Sequence, residues 1–225
     1  MHLAKDINKR LMESKLLSLW DTTITLSSFV RMMDGVIGPF GAKAIIRKEK
    51  KMRKTQNGMK ISGYYQQGKR GMEIVVLYHV HRVRKTIHLT TKLLNKIIFL
   101  TSQTVQHELN HQFQFERLGE KFYTKKIAIS YSNKIGKKRS ENIDYCCMKD
   151  EIDCCGRDIA MEIKYNYPNI SPRKVLNTID SRRLFTFQFY KRAFQGVEWP
   201  HVRKALLKKV WKWLPEVSTV PKFAP

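Results

Sequence analysis

The sequence predicts an α+β protein whose strands are gathered in one short stretch, with helices on both sides of it. Three observations carry that expectation. KISGYYQQG at 60–68 and MEIVVLYHV at 72–80 are rich in β-branched and aromatic residues and share the turn-forming GKRG between them, with a shorter TIHLT at 86–90 behind. Before them, Leu3, Ile7, Leu11, Leu17 and Trp20 recur at near-helical spacing, and after them the apolar residues of 91–119 do the same. A chain of 225 residues, 42% hydrophobic and 11% aromatic, is also large enough to bury a real core.

Taken in order, residues 1–20 read as one amphipathic helix closed by a turn near Asp21, and Leu26 to Met33 as a second helix. GVIGPFG at 35–41 is a breaker, and the basic AKAIIRKEKKMRKTQNG that follows ends in an Asn-Gly turn signal. A domain boundary is therefore expected there, with 1–55 a helical, basic N-terminal extension and 56–225 the main domain. After the strands come KLLNKIIFL, a break at Leu100-Thr101-Ser102, and a helix running from Ser102 as N-cap to Gly119 as C-terminal cap, with Val105, Leu109 and Phe113 as its buried stripe. A basic loop containing KIGKKRS leads to a helix from about Asp144 through Ile163, a turn at NYPNISP, and two basic aromatic helices, the last being HVRKALLKKVWKWL.

Charge and cysteine usage narrow the class. The formal net charge is +24, from 43 Lys and Arg against 19 Asp and Glu, which draws a protein toward polyanions, nucleic acid first, with an amphipathic helix on a membrane surface as the lesser reading. The longest apolar runs, such as IIFL at 97–100, fall far short of a bilayer span, so no transmembrane segment is expected. The first twenty residues carry charges through their apolar positions and lack an h-region with a cleavage site. Cys146-Cys147 and Cys154-Cys155, without a CxxC knuckle, are expected to be free thiols buried on a helix, consistent with a cytoplasmic protein, in the host cytoplasm if it is viral.

The chemistry is concentrated in HELNH at 107–111. On a helix, positions i and i+4 lie one above the other, so His107 and His111 can present two imidazole nitrogens to one zinc ion. Glu108, on the adjacent flank, is placed as a general base for a water activated by that ion, which is the chemistry of amide hydrolysis. A third ligand is needed. His79, His81 and His88 fall on the expected strands, His201 lies far downstream, and QFQFERLGEKF after His111 contains no histidine, so a carboxylate must serve. Glu141, Asp144, Asp150, Glu151, Asp153, Asp158 and Glu162 form an acidic island, seven of the 19 acidic residues within 22 positions. Such an island is either a solvated face balancing basic loops or a source of ligand and supporting carboxylates.

In the order of a glycine-turned strand pair, HExxH on a helix, and then an acidic helix with DEIDCCGRDIA, the stretch from about 60 to 165 resembles the zincin metallopeptidases, in particular SprT-like and phage-encoded putative metallopeptidases. The resemblance implies a zincin-like minimal domain, with a small antiparallel sheet packed on the HExxH helix, and a zinc-dependent peptidase acting on a protein or peptide substrate. It also implies one Zn2+ held by His107, His111 and Glu151, with Glu108 catalytic and Asp153 and Asp158 as supporting carboxylates. On a helix Glu151, Cys155, Asp158 and Glu162 share a face, which favours Glu151, while Asp150, Asp153 and Asp144 stay open as ligands. SprT-like proteins use a third histidine and often add a cysteine zinc ribbon, and neither is present in the expected place. The residue steadying the oxyanion stays open among Tyr123, Tyr131 and Tyr145.

The C-terminal helices interleave Arg182, Arg183, Lys191 and Arg192 with Phe185, Phe187, Phe189, Tyr190 and Phe194. The last helix sets Arg203, Lys204, Lys208 and Lys212 around a stripe of Val202, Leu206, Val210 and Trp213. Arg182, Arg183, Arg203, Lys204, Lys208 and Lys212 are the candidate phosphate contacts. The rival to the peptidase is thus a non-enzymatic nucleic-acid-binding or virion-associated protein with a structural or vestigial zinc site.

Overall fold

The computed structural model describes residues 2–49, 59–68, 71–81, 85–119, 145–178, 183–194, 196 and 198–225. Over these residues the protein is mixed α+β, with helices, one two-stranded sheet and one three-stranded sheet. Two compact units form, residues 1–112 with 220–225, and residues 113–219. That grouping differs from the expected division at 55/56.

The first unit opens with α1 (His2–Met12) and α2 (Lys15–Ser18). The single helix expected over 1–20 is broken because the Ser14 hydroxyl donates to the Leu11 carbonyl at 2.8 Å, while Ser14 itself takes an extended conformation. Ile7, Leu11 and Leu16 are buried, whereas Trp20 is exposed and donates from Nε1 to Thr91 Oγ1. Asp21 turns the chain at φ 58 as expected. It leads into β1 (Thr23–Thr25), which pairs antiparallel with β5 (Thr86–His88) and was not foreseen. Thr25 caps α3 (Leu26–Ile37) by accepting from the Ser28 N–H at 3.1 Å.

The larger sheet contains β2 (Ala42–Glu49), β3 (Met59–Gly68) and β4 (Gly71–His81), in the order β2-β4-β3. β3 and β4 are the expected hairpin, in register from Met59↔Val80 to Gly68↔Gly71. β2 corrects two expectations. Residues 42–49 of the basic segment after the breaker form a strand that pairs parallel with β4, so the sheet is mixed rather than antiparallel and includes part of the supposed extension. Its inner residues Ala42 and Ala44 are small and buried, and the Ala44 N–H is fixed by Asp34 Oδ1 at 2.6 Å, which ties α3 to the sheet. Central β4 is apolar over 74–78, and all five of those residues are buried, as a strand covered on both faces requires.

Helix α4 (Thr91–Leu118) runs unbroken through Leu100-Thr101-Ser102, where a break was expected. Both hydroxyl residues are fully buried, and their hydroxyls are taken up by side chains instead of capping backbone. Thr101 pairs with the Tyr78 hydroxyl at 3.0 Å, and Ser102 donates to Asn8 Oδ1 while accepting from Gln106 Nε2. The N-terminal cap is Thr90, whose Oγ1 accepts from the Leu93 N–H. Gly119, at φ 56, follows the helix in the left-handed conformation expected of a C-terminal glycine. Val105 and Leu109 are buried, but Phe113 is 56% exposed, so the stripe stops at Leu109.

The second unit contains the end of α4, then α5 (Lys149–Asn166), α6 (Pro172–Asn177), α7 (Phe185–Ala193) and α8 (Glu198–Trp213). α5 begins five residues later than expected, after a turn at Tyr145–Cys147, and thirteen of its residues are buried. It packs on α8 at a glycine: a methyl added to Gly156 would overlap the Lys209 side chain and lie 3.0 Å from the Lys209 carbonyl carbon. Of the expected stripe, Val202, Leu206 and Val210 are buried on α8 and Trp213 is half-buried, while Phe187 and Tyr190 of α7 and Phe194 just after it fill the core.

Candidate metal centre

HELNH lies in the middle of α4, within the part of it that belongs to the first unit. Several anchors hold α4 against the sheet and the chain termini. Lys96 donates to the Met59 carbonyl, and Asn95 exchanges two hydrogen bonds with the Phe223 backbone. The closest approach is at Gly63 of β3, where an added methyl would overlap Thr104 Cγ2 and lie 3.2 Å from Glu108 Cγ. Only glycine lets the strand come this near, and it brings the strand beside the Glu108 stem, whose residue is 6% exposed.

His107 and His111 are brought together as the spacing requires. Their Nε2 atoms lie 3.1 Å apart with ring centroids 4.8 Å apart, His111 buried and His107 half-buried. Two nitrogens bound to one tetrahedral zinc at about 2.0–2.1 Å would lie about 3.3–3.4 Å apart, so the pair already has the span of two ligands. Imidazoles that face each other through ring nitrogens can share only one proton between those atoms, and a cation in that position satisfies both lone pairs. The two nitrogens therefore fit a pair of ligands on one metal ion.

In the second unit, α5 gathers a second set of donors. Glu151, Cys155 and Asp158 stand at i, i+4 and i+7, all buried, and the Cys155 thiol donates to Glu151 Oε1 at 3.5 Å. Burial first, then the charges of Glu151 and Asp158, push the Cys155 thiol well above its ordinary range. Burial likewise raises Tyr190, whose hydroxyl donates to the Cys146 carbonyl, and pushes the Cys146 thiol up to about 12. All four cysteines are free and buried, as expected. The described residues thus include His, Cys and Asp groups able to hold a metal ion, with His107 and His111 in the first unit and Cys154, Cys155 and Asp158 in the second. The cysteines were not singled out from sequence as ligands. The i, i+4, i+7 alignment of Glu151, Cys155 and Asp158 was the signal available.

Other members of the acidic island serve the scaffold. Asp153, expected to support the histidines, is instead held by Lys209 at 2.9 Å, Lys212 at 3.1 Å, Trp213 Nε1 at 3.2 Å and Gln114 Nε2 at 3.3 Å. On a helix it points two residues' rotation away from Glu151, toward α8, and cations meet it there. Burial alone would raise its carboxyl, but the hydrogen bonds and charges of Lys209 and Lys212 outweigh that and hold it below the usual range. Glu162 accepts from the Thr186 N–H and hydroxyl at the start of α7, an arrangement that also suits the helix dipole.

The candidate phosphate contacts divide in the same way. Arg183, Lys204 and Lys208 are exposed, Arg203 is half-buried and donates to Asn177 Oδ1, and Lys212 is committed to Asp153. Lys212 is therefore corrected from a free surface cation to part of an ion pair. His79 is buried against Ser62 and His88 is exposed beside Asp21. Arg182, Glu141, Asp144, Tyr123 and Tyr131 lie outside the described residues, and the one described tyrosine of the oxyanion candidates, Tyr145, is exposed.

No protein-family model, curated protein or solved structure matches this chain. No described helix is long and apolar enough to cross a membrane.

Proposed function

We propose that the protein is a zinc-dependent peptidase of zincin type, with His107 and His111 as two ligands and Glu108 as general base. The observation that carries the reading is the 3.1 Å approach of the two Nε2 atoms on one helix, with the Glu108 stem beside a glycine of the neighbouring strand. When bound, the zinc ion would supply Lewis acidity toward a water and a substrate carbonyl. Glu108 then takes the water's proton on its carboxylate and passes it to the leaving amine, the two proton transfers that amide hydrolysis requires. The third ligand in this reading comes from α5, Glu151 first by the family resemblance, with Asp158 and Cys155 as alternatives on the same helical face. Asp158 keeps its proposed supporting role only if Glu151 is the ligand.

The test separates metal from catalysis. Purified protein should contain one zinc per chain, and Glu108→Gln should keep that zinc while losing at least about a hundredfold in hydrolysis in a proteome-wide cleavage survey. Protein without stoichiometric zinc refutes the site. Equal cleavage by Glu108→Gln and the native chain refutes the base. Zinc in both with cleavage by neither favours the structural-zinc reading. Within the α5 set, Glu151→Gln, Asp158→Asn and Cys155→Ser are compared for zinc affinity, and the largest loss identifies the ligand.

A further inference from the structure

The second unit has a small polar cavity far along the chain from HELNH. Its volume is about 210 Å3, and its wall is formed by Asn177 and Thr178 at the end of α6, Phe187 and Lys191 of α7, and Trp199 and Arg203 of α8, over a floor of Leu176. Among the described residues that line it, two are cations and none is a carboxylate. Among the described residues the Lys191 ammonium makes no ion pair, and Arg203 makes a single side-chain hydrogen bond, from Nη2 to Asn177 Oδ1 at 3.2 Å. That bond fixes the guanidinium plane and leaves its other N–H groups to a ligand. Trp199 is oriented by an edge-to-face contact with Phe187, with ring centroids 5.5 Å apart at 74°. An anion in this cavity would meet both positive charges at once.

We propose that this cavity binds the terminal phosphate of a nucleotide or of a nucleic-acid strand, with Arg203 and Lys191 on the phosphate oxygens and a sugar or base against Trp199. Three features select that chemistry. A planar, oriented guanidinium beside a lysine matches a phosphate better than a lone carboxylate, for which one bidentate arginine suffices. The volume is below the roughly 300–1,000 Å3 of pockets that enclose a whole small molecule, so the cavity suits a head group whose remainder lies outside. The Trp199 indole in the lining adds a stacking surface that is indifferent to base identity, and Lys204, Lys208 and Arg183, exposed on the same unit, add to its positive charge. The peptidase reading plays no part in this inference.

The experiment uses the full chain and three probes: inorganic phosphate, a nucleoside 5′-monophosphate, and a short single strand made with either a 5′-phosphate or a 5′-hydroxyl. Calorimetry should show the 5′-phosphorylated strand binding about tenfold more tightly than its 5′-hydroxyl twin. Arg203→Gln and Lys191→Gln should each erase that difference, with thermal melting and zinc content unchanged. Trp199→Leu should weaken the monophosphate and leave inorganic phosphate unaffected, which separates stacking from charge. Lys204→Gln with Lys208→Gln should weaken both strands equally and preserve their ratio. Equal binding of the two strands by the native chain overturns the proposal, as does a phosphate preference that survives both Arg203→Gln and Lys191→Gln in folded protein.

Discussion

Helices α4 and α5 both bury polar residues, and two carboxylates of α5 differ from the histidines of α4 in what meets them. On α5, Asp153 is surrounded by Lys209, Lys212, Trp213 and Gln114, and Glu162 is spent on the start of α7. Each carboxylate has partners of opposite character, which is how a buried charge is normally tolerated. On α4, His107 and His111 point ring nitrogens at each other across 3.1 Å, a pairing of like with like. Complementary partners mark a polar group that holds the fold together. Two imidazoles converging on one point are what the proposed metal site requires.

The largest expected effects test the α4 side of that contrast. His111→Ala should weaken zinc binding by at least about a hundredfold and abolish hydrolysis, because a ligand loss exceeds the 10–100-fold that loss of a supporting contact brings. Asp153→Asn, in the same assays, should leave zinc content unchanged. Metal analysis after dialysis against a chelator reads both, and equal retention by the two variants would erase the distinction between the helices.

The two close-packed glycines come next. At Gly156 an added methyl meets Lys209 and Val210 backbone at 3.0 and 3.1 Å, which cannot step aside, so Gly156→Ala should cost about 1–3 kcal/mol and lower Tm. At Gly63 an added methyl would meet the Thr104 side chain, the Glu108 stem and the Val75 carbonyl, the last held in the sheet at 3.2 Å. Gly63→Ala should therefore lower Tm as Gly156→Ala does and, unlike it, also lower kcat, since one side chain displaced is the proposed base. A Gly63→Ala protein with native kcat would detach Glu108 from the chemistry.

Periodicity made the long segments legible in the sequence. α3, α4, the β3–β4 hairpin, the C-terminal helices and the apolar stripe of α8 all follow from residue spacing, and HELNH named the helix face on which two histidines meet. What was illegible depended on partners distant in sequence. Thr101 and Ser102 look like helix breakers until Tyr78, Asn8 and Gln106 take up their hydroxyls. AKAIIRKE at 42–49 opens a basic segment, yet it forms an edge strand once β4 supplies the ladder. Asp153 and Glu151 are two positions apart in an acidic run, and only the lysines of α8 distinguish the structural one.

Asp153→Ala tests that distinction as stability. Removing the carboxylate forfeits charge-assisted hydrogen bonds to two lysines and the Trp213 indole, but the lysines are 32% and 51% exposed and regain water. The expected cost is about 2 kcal/mol, the scale of a hydrogen bond to a charged group. Chemical denaturation reads it directly, and a change below about 0.5 kcal/mol would place Asp153 with ordinary surface carboxylates.

The smallest effect belongs to a histidine with complementary partners, His79 of β4. It is 6% exposed, its Nε2 lies 2.9 Å from Ser62 Oγ, and its Nδ1 lies 3.9 Å from Glu49. Burial lowers its pKa, with Lys60 and Arg47 adding to that and Glu49 opposing it. A group with a folded pKa below its unfolded value of about 6.5 binds fewer protons when folded. Its contribution is then complete above about pH 6.5 and is lost as pH falls through the folded value. His79→Gln keeps an amide able to bond Ser62 but cannot titrate, so its stability should fall less between pH 7.5 and 5 than that of the native chain. The difference in slope can reach at most about 1.4 kcal/mol per pH unit, one proton's worth. Parallel profiles for the two proteins would show that His79 is protonated equally in the folded and unfolded chain, and that its burial against Ser62 carries no pH dependence.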